Sequence, residues 1–508
     1  MKKLLIIAVA VLIFFNLFIL LSKNTYGQNK KGSFLLQDKT LPQKDTYSGQ
    51  FAESIPALLY HGEGGETANT PVAVFDEQMQ TLKNAGWHTV SLADLQSFLK
   101  GDKKLPAKSF LLTFDDARVD SFQGADPVLQ KDGFTAVMFV ITGFSLPQDG
   151  KTVSFYLNKD QLSAMQASGR WELESHSDQA HRIYDIAKTD ANAATTTGVY
   201  ASQSGTVPGH FMSNKFVIRD SSGSLRFETD AEFSQRIRND LTTAKQTLTK
   251  DFGGPITAFA YPLNDFGQDS INFPDAQSLV SQIVPNIYQS AFYQTWPAEG
   301  ETWNYPDQHT YMVRRIEPAV DWTGADLLAA MEAGEPKNLP YATNTFGNEW
   351  LPAWGDITSN GNSLSIRASS DSTGAEAALE GSHLWTDYTF TADASPLSNT
   401  EVSLIARRLD QKNNVSCDFS AGRVYVREDD NGTQTELTNA AYDLSSGKNT
   451  FGIQVQGNTV SCLSGQTTLV NAKITNSSLS QGGISIQVWN QTPGVAGADI
   501  SRVDVEPK

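Results

Sequence analysis

The 508-residue chain is poor in three things. It has two cysteines, Cys417 and Cys462, so at most one disulfide can form, and only if the chain is exported to an oxidising compartment. It is short of positive charge: 39 Lys and Arg against 56 Asp and Glu give a formal net charge of −17. With no basic stripe, nucleic acid is excluded as an expected partner, and the acidic surface mainly reports solubility. It is also short of histidine, with seven in all, so two at close spacing stand out. No short-period internal repeat is present. The remaining composition, 40% apolar and 19% charged, is that of an ordinary globular protein, and the length allows two to four domains at about 150 residues each.

What is present begins with an apolar run. Lys2 and Lys3 precede Leu4 to Leu21, which contains no charge and one polar residue, Asn16. The run is slightly short for a transmembrane helix, longer than the usual core of a signal peptide, and not followed by an A-x-A cleavage site. Residues 1–23 are therefore expected to be a signal anchor, with a cleaved signal as the alternative. Either way the bulk of the chain is extracytoplasmic. Residues 24–52, rich in Lys, Gln, Ser and Gly, read as a linker.

From residue 53 to about 338 two periods alternate. The segment FDEQMQTLKNAGW has helical spacing, HTVSL is a short strand, ADLQSFLKG a helix, SFLLTF a strand, and TAVMFVI another. Later, TDAEFSQRIRNDLTTAKQTLTKDFGG is a long amphipathic helix and ITAFAYP a strand. Strand and helix alternating at this pitch predict a parallel α/β domain. From about 346 to 508 helical periodicity is gone. Short β-prone runs such as DYTFTAD, EVSLIARRL and GISIQVW follow one another between Gly, Asn, Asp and Ser, which predicts an all-β sandwich.

The strand SFLLTF ends in two adjacent carboxylates, Asp115 and Asp116. Like charges side by side repel and resist desolvation, so a compensating charge is required, and a metal ion is one candidate. In parallel α/β folds, functional groups gather at the C-terminal strand ends. Downstream, WELESHSDQAHR holds His176 and His181. On an α-helix that spacing sets two side chains about 140° apart, so a shared ligand needs a strand-to-loop turn, which WELESH can supply. Two imidazoles and one carboxylate with open positions is the pattern of catalytic zinc and related metals.

TFDD followed by HSDQAH resembles the NodB-type polysaccharide deacetylases, carbohydrate esterase family four. The spacing between the histidines is one residue longer than the common H-[ST]-x-x-H motif. It resembles the circularly permuted branch that deacetylates poly-N-acetylglucosamine, in which the leucine–histidine motif comes first; here LLYHG supplies Leu59 and His61. No histidine follows Asp321 in the late α/β segment. The resemblance implies an irregular (β/α) barrel, followed here by a jelly-roll sandwich similar to concanavalin or laminin-G domains. It implies a divalent metal, zinc first, on Asp116, His176 and His181, with Asp115 as general base and His61 as general acid. FAYPLNDFG resembles the third motif, so Tyr261, Pro262 and Leu263 are expected at the substrate, with the Leu263 N–H on the oxyanion. The arginine of that motif is replaced by Ala260. AVDWTGADL resembles the fourth motif through Asp321 and Trp322. One metal charge would then compensate both aspartates.

The expected activity is removal of N-acetyl groups from an N-acetylglucosamine-containing polysaccharide at the cell surface. The rival is a catalytically degenerate glycan-binding scaffold, favoured by the absent arginine. A glucanase in the sandwich is disfavoured, because no E-x-D-x-x-E motif occurs there. Trp350, Trp354, Trp385 and Trp489 are the tryptophans available as sugar platforms in that segment, with core packing the competing use.

Overall fold

The structure is a computed structural model that describes residues 51–62, 70–147, 150, 154–185, 194–195, 208–295, 302–306, 311–444 and 447–508. The Leu4–Leu21 run and the linker up to residue 50 lie outside the described residues. Among the described residues no helix is long and apolar enough to cross a membrane. They fall into two compact units that divide near residue 337.

The first unit is a nearly closed parallel barrel. Its strands are β1 (Ala57–Tyr60), β2 (His88–Thr89), β3 (Ser109–Phe114), β4 (Ala136–Val140), β5 (Trp171–Ser175), β6 (Ala258–Ala260), β7 (Ser290–Gln294) and β8 (Met312–Arg315). Their order around the sheet is β1-β3-β4-β5-β6-β7-β8, with β2 beside the first half of β3. The seam closes just past β8: Leu59 N–H donates to Ile316 O and Ile316 N–H to Ala57 O, both at 2.8 Å. All six residues of β3 are buried, as expected of a strand covered on one face by the barrel interior and on the other by helices. Leu111, Val137, Phe139, Ala258, Phe292 and Val313 pack in one cluster, contributed by successive strands.

The outer helices carry one apolar face each. Helix α1 (Val72–Asn84) buries Phe75, Met79 and Leu82. The long helix α2 (Asp230–Phe252) buries Phe233, Ile237, Leu241, Ala244 and Leu248 along a single stripe. It starts at a Thr229–Glu232 capping box, which satisfies the orphan N–H groups of its first turn, and ends at Gly253. The insertion between β5 and α2 contributes a hairpin of Val217–Arg219 with Leu225–Phe227, and a short strand, Pro208–His210.

The second unit consists of two antiparallel sheets, of eight and seven strands. Along Tyr388–Pro396, Tyr388, Phe390, Ala392 and Ala394 are buried and alternate with half-buried residues, the period-2 signature of a sandwich strand. Cys417 in the seven-stranded sheet and Cys462 in the eight-stranded one form a disulfide across the sandwich. Trp350 and Trp385 belong to its core, Trp354 is half-buried, and Trp489 is 41% exposed. Of the four tryptophans, core packing therefore claims two outright.

Candidate active site

The carboxylate pair sits where β3 leaves the barrel. Asp116 and Ala117 turn the chain with φ of 74° and 55°, a left-handed conformation uncommon for residues with a Cβ and frequent at functional sites. Ser177 makes the corresponding turn after β5, at φ 73°. That second turn is fixed from outside: the Asp240 carboxylate on α2 accepts from the backbone N–H groups of Asp178 (3.2 Å) and Gln179 (2.6 Å). Burial pushes the Asp240 carboxyl up to about 7.

These turns bring His176 and His181 onto Asp116. Asp116 Oδ1 lies 3.5 Å from His176 Nε2 and 3.1 Å from His181 Nε2. His176 Nδ1 is 2.8 Å from the Ala260 carbonyl, so the proton is held on Nδ1 and the Nε2 lone pair faces Asp116. Burial is the main force holding the His176 imidazole down at about 4, hence neutral, as a ligand must be. Asp116 Oδ1 is buried without a hydrogen-bond partner, and one donor atom from each of the three residues lies within 4.8 Å of the others. Donors around a tetrahedral zinc are about 3.3 Å apart. The set fits a divalent ion.

Asp115 is compensated by something the sequence reading did not identify. Arg315, at the end of β8, donates from Nη1 to Asp115 Oδ1 (2.7 Å) and from Nη2 to Oδ2 (2.8 Å). Both residues are buried, at 2% and 3% exposure. Burial alone would raise the Asp115 carboxyl, but the guanidinium outweighs it and holds the group below the usual range. The two aspartates therefore have different counter-charges, rather than one metal serving both. The guanidinium absent at position 260 is present on another strand, at Arg315. Ala260 itself is fully buried, with its carbonyl committed to His176.

His61, just past β1, is the third element. Its Nδ1 lies 3.1 Å from Glu317 Oε1. Burial lowers its pKa, but Glu317, followed by Asp116 and Asp115, more than offsets this and holds the imidazole at about 9, protonated at neutral pH. Glu317 Oε2 accepts from Gln294 Nε2 (2.6 Å), and Gln294 N–H donates to Asn264 Oδ1 (2.7 Å). This chain links the imidazole to the loop after β6. There Leu263 is held at φ 58° and Asn264 at 55°.

The other expected residues are placed differently. Pro262 is buried in the same turn. The Tyr261 side chain is 1% exposed, with its hydroxyl 3.3 Å from that of Tyr311 and its ring against Phe259 and Phe266. It is packed as a core residue. Asp321 is exposed, and the Arg315 fork faces Asp115 instead. Trp322 is buried, and its carbonyl accepts from Gln78, which in turn accepts from Tyr60. Sequence reasoning missed Arg315 and Glu317. The only available signal was their place in MVRRIEP, where a β-prone run continues into charge without a turn residue between them.

The fold and this arrangement define a class, a parallel barrel with an Asp-His-His donor cluster at the C-terminal side of its strands. Residues 102–276 match the family model described as polysaccharide deacetylase, and the chain carries a polysaccharide deacetylase domain of the NodB type. Over 125 residues it is 33% identical to "Putative polysaccharide deacetylase YxkH" of Bacillus subtilis (strain 168), covering 24% of this chain and 42% of the relative. Over 111 residues it is 30% identical to poly-beta-1,6-N-acetyl-D-glucosamine N-deacetylase of Staphylococcus aureus (strain MSSA476), covering 22% and 37%. The chain thus spans about two-fifths of the length of these curated relatives. A solved de-N-acetylase from Aggregatibacter actinomycetemcomitans aligns over 54% of this chain and 98% of its own, at 16% identity and a TM-score of 0.41.

Proposed function

We propose that the chain is a metal-dependent N-deacetylase of an extracytoplasmic N-acetylglucosamine-containing polysaccharide, with the deacetylase domain over residues 53–338. The observation that carries this reading is the convergence of three donors, Asp116, His176 and His181, beside a separately neutralised carboxylate and a protonated imidazole. The glycan is inferred from the name of the Staphylococcus relative.

Asp116, His176 and His181 would hold the metal, zinc first. When bound, it supplies Lewis acidity and lowers the pKa of water toward neutrality. Asp115, kept ionised by Arg315, takes the proton from the attacking water. The Leu263 N–H, in a left-handed turn, would donate to the oxygen of the tetrahedral intermediate. His61 would give its Nε2 proton to the departing amine, while Glu317 at Nδ1 favours the imidazolium form that carries that proton.

Export is supported by the Leu4–Leu21 run and by the Cys417–Cys462 disulfide, which persists in oxidising compartments. We assign residues 1–23 to the membrane anchor or signal. The sandwich over 346–508 is proposed to bind glycan, with Trp489 as its exposed aromatic. The rival reading, a degenerate binding scaffold, rested on the missing arginine, and the Arg315 fork removes that support.

The test is acetate release from N-acetylglucosamine oligomers and polymer by metal-free, zinc-loaded and His181→Ala protein. Release that requires both zinc and His181 is expected. No release from zinc-loaded protein, with glycan retained on a column, would establish the scaffold reading.

A further inference from the structure

We propose a second divalent-metal site in the barrel unit, formed by His210, Asp265 and Asp269 and separate from the Asp116 triad. His210 ends the short strand Pro208–His210 of the insertion, and Asp265 and Asp269 lie in the loop that follows Leu263. One donor atom from each lies within 4.8 Å of the other two.

Asp265 is the key residue. It is 1% exposed, and its two oxygens are used unequally. Oδ1 accepts from Ser213 Oγ and from the Gly267 N–H at 2.8 Å. Oδ2 is buried without a hydrogen-bond partner and faces His210 Nδ1, itself buried and without one, at 3.5 Å. Asp269 Oδ2 lies 3.9 Å from the same nitrogen. A protonated imidazole in a hydrogen-bonded ion pair would stand about 2.7–2.9 Å from its carboxylate. A desolvated carboxylate oxygen without a donor is unfavourable, and a cation between the three groups would satisfy it. Tetrahedral zinc separates its donors by about 3.3 Å, close to the spacing found here. One imidazole nitrogen and two carboxylate oxygens select a borderline transition ion, with zinc preferred over magnesium or calcium, which take oxygen ligands.

The cradle is built from two laced segments. Asn214 Oδ1 accepts from the Ile271 N–H (2.9 Å), Asn272 Oδ1 from the Lys215 N–H (3.0 Å), and Asn272 Nδ2 donates to Lys215 O (2.9 Å). A metal here would pin the insertion to the loop that begins with Leu263. The proposal does not rest on the deacetylase reading.

The test counts zinc on the full-length chain, stripped with chelator, reloaded, desalted and measured by mass spectrometry. Wild type is expected to hold two equivalents. The His176→Ala/His181→Ala double variant and His210→Ala should each hold one. Asp269→Asn, altered at a partly exposed position that leaves the buried lacing intact, should weaken one of the two zinc affinities by more than tenfold. Anomalous diffraction at the zinc edge should show a peak between His210 and Asp265. A zinc content and affinity that match wild type in both His210→Ala and Asp269→Asn, whether wild type holds one equivalent or two, would overturn the proposal.

Discussion

Replacing Arg315 by methionine removes the guanidinium and keeps much of the side-chain volume. The pair it breaks is buried on both sides and bidentate. Breaking such a pair from one side costs about 3–5 kcal/mol, because the remaining charge is left uncompensated. For a domain of this size that lowers the melting midpoint by roughly 5–8 °C. The penalty is capped, because Asp115 can take up a proton. The kinetic effect follows from that proton. Arg315 holds the Asp115 carboxyl low, so its loss raises the pKa, and the acid limb of the pH–rate profile moves to higher pH. At neutral pH kcat should fall by about 10²–10⁴, the usual contribution of a general base, with KM little changed. Arg315→Lys keeps the charge but not the fork, and should fall between the two. The assay is acetate release across pH 5–10, with a thermal melt of each variant. Unchanged turnover and an unmoved acid limb in Arg315→Met would refute the assignment. Placing arginine at Ala260 in wild type should destabilise rather than activate, because that site is fully buried and its carbonyl already holds His176.

Three further outcomes are expected. Asp115→Asn should keep zinc at the Asp116 triad and lose turnover by about 10²–10⁴, read from metal content beside acetate release; normal turnover would exclude Asp115 as base. Glu317→Gln removes a charge that raises the His61 pKa, so the alkaline limb of the pH–rate profile should move to lower pH, and an upward move would contradict the ion pair. The Cys417→Ala/Cys462→Ala variant releases a loop closed over a separation of 45 residues, worth about 4 kcal/mol in the chain-entropy model, and should unfold the sandwich at lower denaturant than wild type.

The barrel was legible because each buried strand and amphipathic helix writes its own period locally. SFLLTF and the stripe from Phe233 to Leu248 need no knowledge of the rest of the chain. The Asp116, His176 and His181 donors were legible for a related reason: Asp116 and His176 stand just past strand ends, His181 lies in the turn that follows, and closely spaced histidines are scarce. Arg315 was not. It pairs with a residue 200 positions earlier, across the barrel interior, and a charged residue late in a strand ordinarily faces water. Tyr261 was misplaced for the opposite reason. It was expected at the substrate through the motif resemblance of FAYPLNDFG, and only packing reveals that Phe259, Phe266 and Tyr311 already surround it. Asp321 likewise matched a motif whose arginine had moved elsewhere.

The seam between β1 and the residues after β8 has a consequence for synthesis. Arg315, the last residue of the last strand of this unit, and Glu317, two residues on, leave the ribosome well after Asp115, Asp116, His176 and His181. At 5–20 residues per second, roughly 7–27 s separate His181 from Glu317. During that interval a nascent chain carries the Asp116, His176 and His181 donors but neither Arg315 for Asp115 nor Glu317 for His61. The site therefore assembles late, when Ile316 zips onto Ala57 and Leu59.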